Sequence, residues 1–345
     1  MRFRSNVGWL IALFVLLSGC GTAATPTTVP TLAPVDTSIQ LSWFHSIEFA
    51  GVYEIKRQDY GAQSGLNLRI DGGGFDATGA YIDPVAQVVS GNAEFGVAGA
   101  DVLLRARAAG QPVVAIAAIY QRSPVGLISL KESNINRPAD LAGKKIGIAP
   151  PDTTVYISYR ALLNDQNIDP ASIIEVPEAP ETSVSDLLSK KIDVLQTFIT
   201  HEAIQARAQR DDINVMVLSD YGIDLYSNVV FTTEKMITEK PAVVAGLVKA
   251  LSQGLQWSID NPKEAAAHVV AEYAAVIPPP LQALQEPGML ASVPLIKPAG
   301  SQPGMMTAKA WEATLQTLLD QKIISAPLDV NKAYNLTFIG TAAGQ

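Results

Sequence analysis

Short apolar runs of four to eight residues alternate with helix-like stretches along most of this chain, and that alternation limits the fold more than any other feature. The runs are Ile39–Phe44, Leu66–Asp71, Phe95–Ala98, Val113–Tyr120, Lys145–Ala149, Ile173–Val176, Val194–Phe198 and Ile213–Leu218. Near-continuous apolar runs of this length are what strands buried on both faces require. Helix starts are legible between them. Asp83-Pro84 places an N-cap before a proline at the first helical position, and Thr153-Thr154 precedes the periodic run Val155–Leu163. Glu239-Lys240-Pro241 opens a long helix through Trp257 that Asp260-Asn261-Pro262 closes. The pattern predicts an α/β fold with mainly parallel sheets flanked by helices.

Two extended segments, Gln121–Leu130 and Tyr226–Thr233, read as crossings between lobes. If both are hinges, residues 125–225 form an inserted lobe 2, and residues 38–124 with 226–345 form lobe 1. The Pro- and Gly-rich stretch Ile277–Gly300 reads as irregular.

The N-terminus carries an address. Arg2 and Arg4 precede the apolar run Val7–Leu17, which is too short and wrongly flanked for a membrane span. Leu17-Ser18-Gly19-Cys20 then resembles the lipoprotein box of bacterial secreted proteins. That resemblance implies a signal peptide over residues 1–19, a lipid such as palmitate on Cys20, and a protein held at the extracytoplasmic face of the cell membrane. Residues 20–37, rich in Thr, Pro and Ala, read as a tether. Cys20 is the single cysteine, which excludes an intrachain disulfide, a cysteine metal cluster and thiol catalysis in the folded body. A net charge of −8 argues against a nucleic-acid partner.

Chemistry-bearing motifs are few. Gly72–Gly79 has phosphate-loop spacing, but Ala80-Tyr81 stands where Lys-Ser/Thr is needed, so it reads as a plain loop. The three histidines have no metal-like partner at short spacing. His45 and His201 each follow a strand and are candidates to bond a ligand, with local turn bonding as the alternative, whereas His268 lies within a helix. No serine sits in a nucleophile elbow, and no carboxylate pair stands out as an acid/base couple. Trp43, Phe44, Tyr120, Tyr156, Phe198, Tyr221 and Tyr226 fall near strand ends or helix starts; core packing claims some, and the others suit a planar ring in a cleft.

The segments LSWFHSIEFAGVYEIKRQDYG (41–61), 88–124, RPADLAGKKIGI (137–148), DYGIDLYSNVVFTT (220–233) and the helix from Pro241 together resemble the type 2 periplasmic solute-binding proteins of ABC importers, in the branch of thiamin-pyrimidine and sulfonate/nitrate binders. The resemblance implies two lobes closing on one small-molecule ligand, with an ABC permease and its ATPase as partners. It implies a site built from Trp43, the loop Gly99, Ala100 and Asp101, the loop Asp152, Thr153 and Thr154, the segment Thr197–His201, and Tyr226 and Asn228 at the second hinge; His45, from its place after a strand, and Gln121, at the first crossing, are added as candidates. It implies binding rather than catalysis, with no cofactor. Asn228, which both donates and accepts, suits a ring edge of alternating carbonyl and N–H groups, as in riboflavin. A thiamin pyrimidine precursor, a sulfonate or nitrate, and a pyrimidine-processing enzyme remain as alternatives.

Overall fold

The computed structural model describes residues 34–151, 153–325 and 328–342. The segment read as a signal peptide, Cys20, most of the tether and Asp152 lie outside the described residues.

Ten strands are formed among these residues: β1 (Val35–Gln40), β2 (Leu66–Asp71), β3 (Phe95–Ala98), β4 (Val113–Ala118), β5 (Val125–Leu130), β6 (Lys145–Ile148), β7 (Ile174–Pro177), β8 (Val194–Phe198), β9 (Ile213–Val217) and β10 (Val229–Thr233). They build two five-stranded sheets of order β2-β1-β3-β10-β4 and β7-β6-β8-β5-β9. The sheets are mixed. In the first, β1 pairs parallel with β2 and β3, while β10 runs antiparallel to β3 and β4. In the second, β6 pairs parallel with β7 and β8, while β5 runs antiparallel to β8 and β9. The antiparallel members, β5 and β10, are the two strands that follow a crossing: the chain passes to the second sheet between β4 and β5, and returns between β9 and β10. A strand entered directly from the neighbouring sheet needs no helical crossover, and so is free to run against the others. We call each sheet with the helices packed on it a lobe.

Side-chain alternation feeds cores on both faces of each sheet. In β10, Val230 packs with Ile39, Phe49 and Leu251 on one face, while Val229 and Phe231 pack with Leu103 and Trp311 on the other. In β5, Val125 and Leu127 join the helix Thr154–Asp165, whereas Ile128 and Leu130 join Leu187 and Ala203. Strand β1 starts at Val35, so Val35–Thr37, read in sequence as the end of the tether, are part of the sheet. Trp43 and Phe44, read as strand, follow β1 in a loop.

The stretch Ile277–Gly300 is a correction. It holds two helices, Pro279–Gln282 and Gln285–Ile296. Pro287 lies in the first turn of the longer one, where a backbone N–H has no intrahelical partner, and Pro294 lies within its last turn. Met289, Leu295 and Ile296 bury against the first core, so tertiary packing overrides the local preference. The two crossing segments are tied to each other: Ser123 N donates to Asp224 Oδ1 at 2.7 Å, and the Ser123 and Ser227 hydroxyls lie 3.1 Å apart in the interior.

His268, placed by sequence in a helix away from strand ends, has a defined partner. Its Nδ1 lies 2.9 Å from Oε1 of the fully buried Glu54, and its ring stacks on Trp257 at 5.2 Å.

Candidate ligand cleft

The segments that follow the carboxyl ends of β1 and β3 in the first lobe approach those that follow β6 and β8 in the second. In open α/β sheets such an edge is where ligands are held, because loops there are released from ladder pairing while rigid strands fix their roots.

Residues of the two lobes come together at two polar points along this edge. At the first, β3 runs into the helix Ala100–Ala108, and Thr153 caps the helix Thr154–Asp165 by accepting from Tyr156 N. Thr154 Oγ1 donates to Asp101 Oδ1 at 2.6 Å across the lobes. Burial pushes the Asp101 carboxyl above its ordinary range, opposed by the Thr154 bond and by Arg105, whose Nη2 lies 3.7 Å from Oδ2. Ala100 N donates to the Tyr226 carbonyl at 2.9 Å, pinning the second hinge to the same loop.

At the second point, β1 leads through a single turn, Ile47–Phe49, into the helix Ala50–Arg57. The apolar neighbours Ile47 and Phe49 bury themselves and take Glu48 inside with them, at 5 % exposure. Asn228 Nδ2 donates to Glu48 Oε1 at 2.5 Å. Burial pushes the Glu48 carboxyl up; nearby His201 and the Asn228 bond oppose this, and Glu202 adds to it. His201 and Glu202 come from the end of β8, so both lobes surround this carboxyl. Glu202 is itself fixed, accepting from Thr197 Oγ1 at 2.9 Å and Phe198 N at 3.1 Å. Burial, and secondarily nearby Glu48, pushes the pKa of the Tyr120 hydroxyl up; that hydroxyl sits 3.0 Å from Ser292 Oγ.

The sequence candidates thus separate into groups. Asn228 and His201 gather around Glu48, and Thr197 holds Glu202 beside it. Ala100, Asp101, Thr153 and Thr154 gather at the other contact. Trp43 is half-buried and lies edge-on to Phe44 and Phe75 at 5.3 and 5.7 Å. The side chains of the remaining three are engaged within the first lobe. His45 stacks on Tyr273 at 3.9 Å with Nδ1 3.2 Å from Tyr53 Oη, and burial lowers its pKa. Gln121 donates to the Ile296 and Gln302 carbonyls at 2.9 and 2.6 Å. Tyr226 accepts from Thr307 N at 3.0 Å and packs near Trp311.

Glu48 and Glu202 are two residues at this edge that the sequence candidates lack. Glu48 had a local signal, a single acid inside the apolar run Ile47–Ala50 of the quoted motif. Gln196 is a third. Its Oε1 accepts from Ala149 N at 3.1 Å, while its buried Nε2 has no partner. Among the described residues no group of three His, Cys, Asp or Glu could hold a metal ion, and no helix is long and apolar enough to cross a membrane.

The sequence profile described as "NMT1/THI5 like" matches residues 46–265. A protein named riboflavin-binding protein RibY from Chloroflexus aurantiacus is 24 % identical over 349 residues, covering 97 % of this chain and 97 % of that one. A formylaminopyrimidine-binding protein from Halalkalibacterium halodurans is 22 % identical over 299 residues, covering 86 % of this chain and 88 % of its own. The crystal structure of the aliphatic sulphonate-binding protein SsuA from Escherichia coli superposes with a TM-score of 0.68 at 12 % identity, over 87 % of this chain and 97 % of that one. This likeness identifies the architecture as the periplasmic binding protein fold.

Proposed function

We propose that this chain, which belongs to the NMT1/THI5-like family, is the solute-binding component of an ABC importer and captures a planar heteroaromatic vitamin, riboflavin, between its lobes. The observation that carries this reading is the buried Glu48–Asn228 pair. A carboxamide has two N–H donors and one acceptor, and the bond to Glu48 uses one donor. A carboxyl group pushed toward its neutral form likewise both donates and accepts. Together they match the ring edge of an isoalloxazine, where carbonyl, N–H and carbonyl alternate. The half-buried Trp43 supplies an aromatic surface at the end of β1. The likeness to RibY over nearly the full length supports the same ligand.

Residues of both lobes surround the pair, so a ligand held there touches both and favours the closed arrangement by its differential contacts. The lipid on Cys20 and the tether keep the protein at the extracytoplasmic face of the cell membrane, within reach of the permease.

A second reading rests on the same carboxyl. In its neutral form Glu48 suits an aminopyrimidine, accepting from the exocyclic amine and donating to the ring nitrogen, and one relative is named for such a ligand. Titrating purified protein with riboflavin separates the two. Saturable quenching of flavin emission at about one ligand per chain supports the flavin reading. No quenching, with heat released on adding formylaminopyrimidine, replaces it by the second. Mass spectrometry of the recovered ligand addresses catalysis, since a changed mass would mark an enzyme. Trp43→Ala is expected to weaken riboflavin binding about tenfold through lost stacking, and unchanged affinity removes Trp43 from the site.

A further inference from the structure

Three of the large apolar side chains that stay exposed lie together at the rim of the first lobe: Phe44 at 45 %, Phe75 at 40 % and Tyr81 at 48 %. With Trp43 they form a chain of ring contacts, with Trp43–Phe44, Trp43–Phe75, Phe44–Phe75 and Phe75–Tyr81 centroids 5.3, 5.7, 6.2 and 6.0 Å apart. Phe75 and Tyr81 belong to the loop after β2 that sequence spacing alone reads as a plain glycine-rich connection.

This loop is a built hairpin. Phe75 and Tyr81 form an antiparallel bridge, Ile82 N donates to Gly74 O at 2.8 Å, and Asp76 N donates to Ala80 O at 2.9 Å. Asp76 Oδ1 organises the tip, accepting from Thr78 N, Thr78 Oγ1 and Ala80 N at 2.8, 2.7 and 3.0 Å. Gly79 takes the left-handed conformation that closes the turn, with φ +82°. Tyr81 Oη donates to Ser42 O at 3.0 Å, fastening the hairpin to the loop that carries Trp43 and Phe44. An ordered aromatic patch that stays in water has no folding benefit equal to burying the same rings, which marks it as a contact surface. It is continuous, through Trp43, with the motif that delivers Glu48 to the cleft.

We propose that the hairpin Gly74–Ile82, with Trp43 and Phe44, is an aromatic platform for the benzenoid end of a tricyclic ligand whose polar edge lies at Glu48 and Asn228; this rests on the riboflavin reading. The platform makes Phe75 and Tyr81 determinants of ring number. A bicyclic ligand with the same polar edge has no third ring to place against them.

The test compares riboflavin with 6,7-dimethyl-8-ribityllumazine, which keeps the pyrimidinedione edge and the ribityl chain but lacks the fused benzene ring. Affinities follow from the emission of each ligand, for the wild type, Phe75→Ala/Tyr81→Ala and the milder Phe75→Leu, which removes one ring and keeps apolar bulk. The double variant is expected to bind riboflavin about tenfold more weakly and the lumazine within about twofold of wild type, with Phe75→Leu intermediate. A wild type that binds riboflavin while the variants bind it equally well overturns the platform and leaves the flavin reading intact. Equal weakening toward both ligands also overturns it, and assigns the hairpin a structural role. A wild type that binds neither ligand removes the flavin reading and the platform together.

Discussion

Glu48→Ala is expected to lower the affinity for riboflavin by about 100-fold or more, with Glu48→Gln losing about tenfold, both read by flavin fluorescence titration. The alanine variant leaves the Asn228 amide in a buried position without its carboxyl partner, and removes one of the two polar groups proposed to meet the ligand edge. The glutamine keeps the shape and both bonding senses. An affinity unchanged in Glu48→Ala would place the ligand elsewhere along this edge. The same residue carries a pH dependence. Burial raises its pKa above the ordinary 4.5, so above that pH the folded chain retains a proton that the unfolded chain has released. Stability of the ligand-free protein therefore falls as pH rises through the window between 4.5 and the raised value. Glu48→Gln abolishes this contribution. Its stability relative to wild type, from urea unfolding, should increase from pH about 4.5 to about 7; a constant difference would mean that the carboxyl titrates as in the unfolded chain.

Gly254→Ala is expected to destabilise the fold by roughly 3 kcal/mol, measured as a lower urea midpoint at unchanged slope. The helix Pro241–Asp260 lies against Ala50–Arg57 so closely that a Cβ on Gly254 would stand 2.2 Å from the carbonyl oxygen of Gly51. The obstructing atom is backbone, so no rotamer change relieves it and the helices must separate. Gly51 has the matching constraint, with Leu255 Cδ2 2.4 Å from where its Cβ would stand. Because Gly51 follows Glu48 by one helical turn, the separation also displaces the carboxyl, and ligand affinity should fall alongside stability. A variant of wild-type midpoint would show that the two helices have slack.

What was legible in the sequence followed from local rules. Strands buried on both faces leave apolar runs, and Leu66–Asp71, Phe95–Ala98 and Val194–Phe198 have the same bounds in the structure as in the sequence reading. Caps left their own marks: Asp83 and Thr153 accept the bonds their positions predict. Residues 277–300 read as irregular in sequence because proline preference is local, whereas the helix Gln285–Ile296 is held by a core assembled from distant segments.

The candidate site divides along the same boundary. Sequence alone, through the family resemblance, pointed to candidate ligand-bonding groups in the loop after β1, in the turns that follow β3, β6 and β8, and at the hinges, because each lies beside a recognisable strand. It did not distinguish His45 from Glu48, three residues apart in one motif. Only the tertiary structure turned the histidine onto Tyr273, inside the first lobe, and the glutamate toward Asn228, 180 residues away in the chain. Strand and helix patterns arise from near neighbours and survive in one dimension. The direction in which a loop side chain points, and the partner it meets, depend on how distant segments pack, and that exists only once the chain has closed on itself.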